Sequence, residues 1–471
     1  MILSILLLSI QVADYMPNSG LSISPEWLKD RLKRHFSELS RLALPAVMMR
    51  IGVMGLSMVD TALVGHYATE HLAWLNLANQ SVIMFALVVG LGLLGGITVY
   101  VANAIGEDNP REAGRVWRRN LPFTIVVGML ILAVIWPAEF WLGLLGQTDE
   151  KAREAGYLIR ILAIGVPGHL LFVCSTMFLE GIKRAEVGFY LMLGANVINL
   201  GLDYALIFGA FGFPEMGAAG SAWSSTVIRW CLAGAAFAYV WYAPSVRGYG
   251  TRKPHGQKWH DWRDQRHMGY ASAVSLAAEV LAFSALAVFA GWLGTVPLAA
   301  HGVVYQVLGV PLMISIGIGV ATSVRTGIAY SRRDRADTAL AGLSGVVLNF
   351  IVTGLFSLGI YVYTGPLLGI FTKDERIILL LLPFAVIYTF GMIFDAAQMV
   401  ASAVLRGYRE TWWPTVLQGF SFAFVMLPAC YVLAFPMGRG LQGLMEGMLV
   451  GVVISFVLQM IRFYHLSRTK P

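Results

Sequence analysis

The sequence predicts an all-α integral membrane protein, with twelve transmembrane helices in two six-helix lobes related by a pseudo-two-fold axis along the membrane normal. Three observations predict it. The composition is too apolar for a soluble chain: 57% of the 471 residues are hydrophobic and 13% are charged, about half the charged share of a typical soluble domain. Basic residues gather on alternate connections between apolar runs. The second half repeats the first at a fixed offset. The longest polar stretch, about 245–269, is too short to be a catalytic domain outside the membrane.

The elements follow in order. Residues 1–41 form a cytoplasmic N-terminal segment. Its first ten residues are apolar but too short to span, and they lack the basic start and cleavage site of a signal peptide. Residues 1–15 read as a start codon assigned too early, with Met16 as the true start. A spanning helix needs about 20 mostly apolar residues. Twelve runs meet this: about 42–66, 72–105, 121–145, 157–180, 187–209 and 218–243 in an N-lobe (42–243), then 270–293, 298–330, 337–363, 377–403, 411–435 and 441–464 in a C-lobe (270–464). A cytoplasmic linker (244–269) joins the lobes, and 465–471 is a cytoplasmic tail. The second and eighth runs are long, so their ends are expected in loops or in tilted helix.

Lysine and arginine set the orientation. With both termini in the cytoplasm, inside segments carry 25 of these residues and outside loops carry 5; Arg50, Arg160, Arg229 and Arg325 lie within spans. The net charge of +7 therefore reads as membrane orientation, and no nucleic-acid partner is expected. Cys174, Cys231 and Cys430 all fall inside apolar runs, which argues against disulfides and CxxC metal sites.

The repeat has an offset of 226 residues. His71-Leu-Ala-Trp-Leu-Asn-Leu-Ala-Asn-Gln80 lies over Pro297-Leu-Ala-Ala-His-Gly-Val-Val-Tyr-Gln306, Leu142-Gly-Leu-Leu145 over Leu368-Gly-Ile-Phe371, and Phe178-Leu-Glu-Gly181 over Val404-Leu-Arg-Gly407. An even number of spans per half makes the repeats parallel. Two such halves suit alternating access, which favours a secondary transporter over a channel or receptor. Several motifs are decoys. Gly90-Leu-Gly-Leu-Leu-Gly95 lies in an apolar helix, away from any βαβ context. The spacing of Gly92/Gly96 and of Gly443/Gly447/Gly451 suits close helix packing. His255, His260 and His267 beside Trp259 and Trp262 are too irregular for a metal site. The chain carries no Walker motif, so ATP is not the direct energy source.

Charge at mid-bilayer costs roughly 2.5–3.5 kcal/mol on insertion scales, so embedded acids need a partner or a task. Those inside spans are Asp60, Asp203, Glu279, Asp395 and Glu446. From the helical rise, Glu279 and Asp395 lie about 12–13 Å from the cytoplasmic side, and Asp60 and Asp203 about 24–27 Å. Asn199 is one turn from Asp203, and Ser225 falls near the same level. Carboxylates with hydroxyl and amide oxygens suit Na⁺ or a proton; a structural hydrogen-bond network is the competing reading. Arg50, level with Glu279 and Asp395, either pairs with one of them or snorkels to the interface. His169 occupies the position of Asp395 in the first repeat, where it either titrates or is a bonded core histidine.

The order and spacing of these residues resemble the multidrug and toxin extrusion (MATE) transporters of the bacterial NorM-like type, over about residues 38–464. The resemblance rests on Leu44-Pro45, Val59-Asp-Thr61, His71-Leu-Ala73, Ala78-Asn-Gln80, Asn199-Leu-Gly-Leu-Asp-Tyr204, Gly212-Phe-Pro-Glu215 and Gly217-Ala-Ala-Gly220. In the second half it rests on Glu279, Ala299-Ala-His301, Ala321-Thr-Ser-Val-Arg-Thr-Gly327, Asp395 and Leu405-Arg-Gly407. It implies a non-enzymatic, two-lobed antiporter that expels organic cations or drugs using Na⁺ or H⁺, with no cofactor. Glu279 and Asp395 match the family's C-lobe site. Asp60, Asn199 and Asp203 match its N-lobe ion site, where Ser225 replaces a usual threonine. Gly391 stands where a tyrosine is frequent, and Arg50 is a departure. Met54, Phe283, Tyr305 and Phe394 are expected to line the cleft. A monomer in the bacterial inner membrane is expected, with both termini cytoplasmic. Flipping of an amphiphilic lipid-linked substrate and export of a narrow metabolite are the alternatives; a channel or a membrane-embedded enzyme fits less well.

Overall fold

The structure is a computed structural model that describes residues 25–253, 256, 258–371 and 375–469. The N-terminal apolar segment, Met16, His255 and Lys373 lie outside the described residues. Among the described residues every regular element is helical. The twelve principal helices are α1 Pro25–Tyr67, α2 Thr69–Gly106, α3 Pro110–Ile135, α4 Asp149–Ile164 with Val166–Gly181, α5 Ala185–Phe208 and α6 Ala218–Tyr242. They continue with α7 Trp259–Leu293, α8 Thr295–Ser331, α9 Arg335–Val362, α10 Arg376–Gly407, α11 Trp413–Ala434 and α12 Gly440–Thr469.

Ten of these are long and apolar enough to cross a membrane, and α4 makes an eleventh when its two pieces count as one span. The twelfth, α6, is 25 residues long. Ser221, Ser224, Ser225, Thr226 and Arg229 dilute its apolar character, and two of these side chains, Ser224 and Ser225, bond the cluster described below. Other expectations shift. The third span starts at Pro110 and ends at Ile135, because Trp136-Pro137 interrupts the helix before the short helix Ala138–Leu144. The long second and eighth runs remain helical to their ends. In α2 the extra length is absorbed by a π turn at Asn79–Ile83 and a break at Leu94-Gly95.

Residues expected as a separate cytoplasmic segment and linker are partly helical. The first turns of α1 continue straight into its span, and α7 begins within the linker. Arg31 donates to Asp337 at 2.6 Å and to Asp334 at 3.1 Å, and Arg34 also bonds Asp337. His35, fully buried, lies 3.0 Å from Asp337 and 3.2 Å from Arg325, which pairs with Glu38. Arg325, placed inside a span by the sequence, is thus neutralised at the end of α8 that joins α9.

The described residues fall into two compact units. One comprises 45–285 with 410–422; the other comprises 286–409 and 423–471 with the start of α1. In the first, α4 packs on α2, α3, α5 and α6. In the second, α10 packs on α8, α9 and α12. Helices related by the 226-residue offset therefore make matching pairs, α2/α3 with α8/α9 and α4/α6 with α10/α12. Glycines permit the close approaches. A Cβ at Gly447 would sit 2.4 Å from the Cys430 nitrogen, and one at Gly451 2.3 Å from Met426 Cβ, so α12 lies directly on the α11 backbone. The three cysteines are free.

Candidate functional site

The deepest polar cluster sits among α1, α5 and α6. Met192, Asn196, Asn199 and Asp203 form one stripe along α5, at the spacing of successive helical turns. Opposite them α1 offers Gly52 and Gly55, where a Cβ would stand 2.5 Å from Met192 Cγ and 2.8 Å from Asn196 Oδ1 respectively. Asn196 locks the contact by donating to the Gly52 carbonyl at 3.0 Å. That approach brings Asp60 to Asn199. The Asn199 amide donates to Asp60 Oδ1 at 2.8 Å and to Asp203 Oδ2 at 2.6 Å. Ser225 donates to Asp60 Oδ2 at 2.7 Å, and Ser224 donates to Asn199 Oδ1 at 3.2 Å. Asn199 and Asp203 are 0% exposed and Asp60 is 6% exposed. Asp203 Oδ1 has no hydrogen-bond partner among the described residues. Two carboxylates sharing one amide, with a buried oxygen left over, fit a small hard cation or a proton by donor type. Among the described residues no group of three His, Cys, Asp or Glu side chains could hold a metal.

The same unit holds basic side chains near this cluster. Arg50, whose partner was sought in Glu279 or Asp395, instead donates to Glu180 at 3.3 Å. Glu180 is 3% exposed; among the described residues its Oε2 and Arg50 Nε have no hydrogen-bond partner. Between pair and cluster, α4 bends by 40° at Gly165. Gly165 bonds back to Leu162, and Pro167 has no N–H to give. Carbonyls at the bend are met from α6: Thr226 donates to Ile161 at 2.9 Å, Arg229 to Leu162 at 3.2 Å and Trp230 to Ile164 at 3.0 Å. His169 follows the bend, within electrostatic reach of both Arg229 and Arg50.

Glu279 and Asp395 fall in separate compact units, and each takes a glutamine. Glu279 accepts from Gln418 at 2.7 Å, and Gln418 accepts from Ser275, which ties α7 to the start of α11. Asp395 accepts from Gln398 at 3.4 Å. Gln398 in turn accepts from Gln459 at 3.3 Å and Ser455 at 3.4 Å on α12. Of the expected cleft residues, Phe283 meets Phe422 edge to face at 6.2 Å. Phe394 packs in a trio with Phe350 and Phe456 at 6.0 and 5.9 Å. Met54 is half-buried and Tyr305 is 42% exposed. Glu446 pairs with Arg439 at 2.5 Å near the end of α12, away from these networks. Sequence reasoning missed Ser224, Glu180, Gln398, Gln418 and Gln459. Only Glu180 carries a charge that could have drawn attention, and it stands at the very edge of its apolar run.

A duplicated bundle of membrane-spanning helices, with carboxylates held inside it by amide and hydroxyl partners, is the arrangement of a multi-pass membrane transporter. The chain belongs to the MatE family, whose profile matches twice, at residues 45–205 and 271–432. The two matches start 226 residues apart, the offset of the repeat. The chain is 32% identical over 450 residues to the "Probable multidrug resistance protein NorM" of Caulobacter vibrioides, covering 94% of each. It is 28% identical to a protein of the same name from Rhizobium meliloti, covering 92% of this chain and 94% of the relative. Among solved structures, the eukaryotic MATE transporter AtDTX14 superposes with a TM-score of 0.83 at 18% identity, over 93% of this chain and 98% of that one. An outward-facing multidrug resistance MATE family transporter superposes with a TM-score of 0.82 at 18% identity, over 92% and 97%.

Proposed function

We propose that the chain is a cation-coupled antiporter, driven by Na⁺ or H⁺, that exports organic cations or drugs from a bacterial cytoplasm by alternating access. It works as a monomer in the inner membrane, with both termini inside. The observation that carries the reading is the pair Asp60 and Asp203, buried and bridged by the single Asn199 amide, with Asp203 Oδ1 unpartnered. Two buried negative charges at this range repel, and an added proton or Na⁺ relieves them. Asp60, Asn199, Asp203 and Ser225 are the coupling site; Glu279 and Asp395, each of which accepts from a glutamine, serve the substrate. The names of the NorM relatives support drug export, and their bacterial sources support the location. A ligand biases which side is open only by its differential affinity for the two states.

The energetics limit the exchange. One imported cation gains about 2.3 kcal/mol per 100 mV, and a tenfold gradient adds about 1.4 kcal/mol. Against a singly charged substrate the voltage contributions cancel in one-for-one exchange, leaving accumulation of about tenfold. Ethidium efflux from liposomes containing the purified chain, with Na⁺ and pH gradients imposed separately, tests the proposal. Acceleration by one inward gradient supports it; equal rates with and without both gradients would remove the coupling.

A further inference from the structure

The first unit holds a cation that the exchange described above does not use. Arg229 lies one helical turn from Ser225 on the same face of α6, and Ser225 bonds Asp60. Its guanidinium makes one hydrogen bond, to the Leu162 carbonyl at the bend of α4, and has no ion pair among the described residues. It lies within electrostatic reach of Asp60. A carbonyl cap needs only one of the five N–H groups of a guanidinium, and a neutral side chain would serve as well. Arg229 is partly buried, and a full charge held within a membrane helix costs energy that a cap alone does not repay.

We propose that Arg229 is the built-in counter-ion of the Asp60/Asp203 cluster, which restricts the cluster to one monovalent cation per cycle. The inference rests on the reading of that cluster as the coupling site. The charges facing it are Asp60, Asp203, Arg229, the Arg50–Glu180 pair and His169. Arg50 and Glu180 cancel as an ion pair, which leaves Asp60, Asp203 and Arg229 as the fixed charges of the cluster. Two carboxylates and one guanidinium leave a net charge of minus one, which one Na⁺ or one H⁺ neutralises. When the ion leaves toward the cytoplasm, Arg229 screens Asp60 from the cytoplasmic side, so the emptied site is not doubly negative. Arg229 is thus a positioning residue that acts through Asp60.

The test is ion-driven ethidium efflux in liposomes with wild type, R229K and R229Q, read as the slope and half-saturation of the ion dependence. Lysine keeps the charge; both lysine and glutamine can still cap the Leu162 carbonyl. The expected slope is one for wild type and R229K. For R229Q it rises toward two, with half-saturation on the order of ten- to a hundredfold lower because a neighbouring cation is gone. Folded R229Q with the wild-type slope and half-saturation would overturn the proposal. A second measurement is independent of how R229Q folds: ions bound per chain at saturation in E279Q/D395N, where the two acids assigned to the substrate are neutral. One is expected; two or none overturns the proposal. A wild type with no ion-driven efflux would instead remove the coupling reading on which it rests.

Discussion

Replacing Asp60 by asparagine removes one charge from the first-unit cluster while keeping its shape. The new amide can turn its oxygen to the Asn199 donor, 2.8 Å from Oδ1 in the native protein, and its nitrogen to Ser225, 2.7 Å from Oδ2. Both hydrogen bonds therefore survive, with the serine hydroxyl now accepting, and the fold is expected to hold. What is lost is the attraction between a bound cation and a carboxylate about 4 Å away. At an effective dielectric constant of about 20 this is about 4 kcal/mol, or roughly a thousandfold in ion affinity. The assay is the Na⁺ or H⁺ concentration that half-saturates ethidium efflux in liposomes, with size-exclusion profiles to confirm intact protein. A shift of roughly a thousandfold, seen as loss of efflux at ordinary gradients, is expected. A half-saturating concentration within about threefold of wild type would refute the assignment of Asp60 as an ion ligand.

Gln418→Leu removes the donor 2.7 Å from Glu279; a hydrogen bond to a charged group is worth about 1.5–3 kcal/mol. The half-saturating dye concentration should therefore change at least about tenfold, with ion dependence intact. Gly447→Val places a side chain where even a Cβ would be 2.4 Å from the Cys430 backbone. Overpacking of this kind costs about 1–3 kcal/mol, and the melting temperature in detergent should fall by several degrees, whereas Gly354→Ala, with open space around its Cβ position, should leave it nearly unchanged.

The spans, the duplication and the Asp60/Asn199/Asp203 grouping were legible because each leaves a strong local signal. A charge inside an apolar run is conspicuous, and Asn199 and Asp203 sit at helical spacing. The partners of the acids were not legible. Gln418 reaches Glu279 across 139 positions, and nothing in the local pattern distinguishes it from any other glutamine in a helix. Arg50 shows the limit of reasoning by depth. It was level with Glu279 and Asp395, but depth fixes one coordinate only, and Glu180 on α4 supplies its carboxylate. The bend of α4 was also hidden. Gly165 and Pro167 could be seen, but the three α6 side chains that meet carbonyls at the bend come from more than 60 residues away. The weak hydropathy of α6 has the same cause, since its polar residues serve the cluster and the bend rather than the lipid.

The central claim is that buried carboxylates exchange a coupling ion for a cationic substrate. Its most direct test is ethidium efflux under separate Na⁺ and pH gradients, with Glu279→Gln and Asp395→Asn beside wild type. The account predicts efflux driven by one gradient and lost in both variants. Wild-type efflux that ignores both gradients, or variants that pump at the wild-type rate, would contradict it.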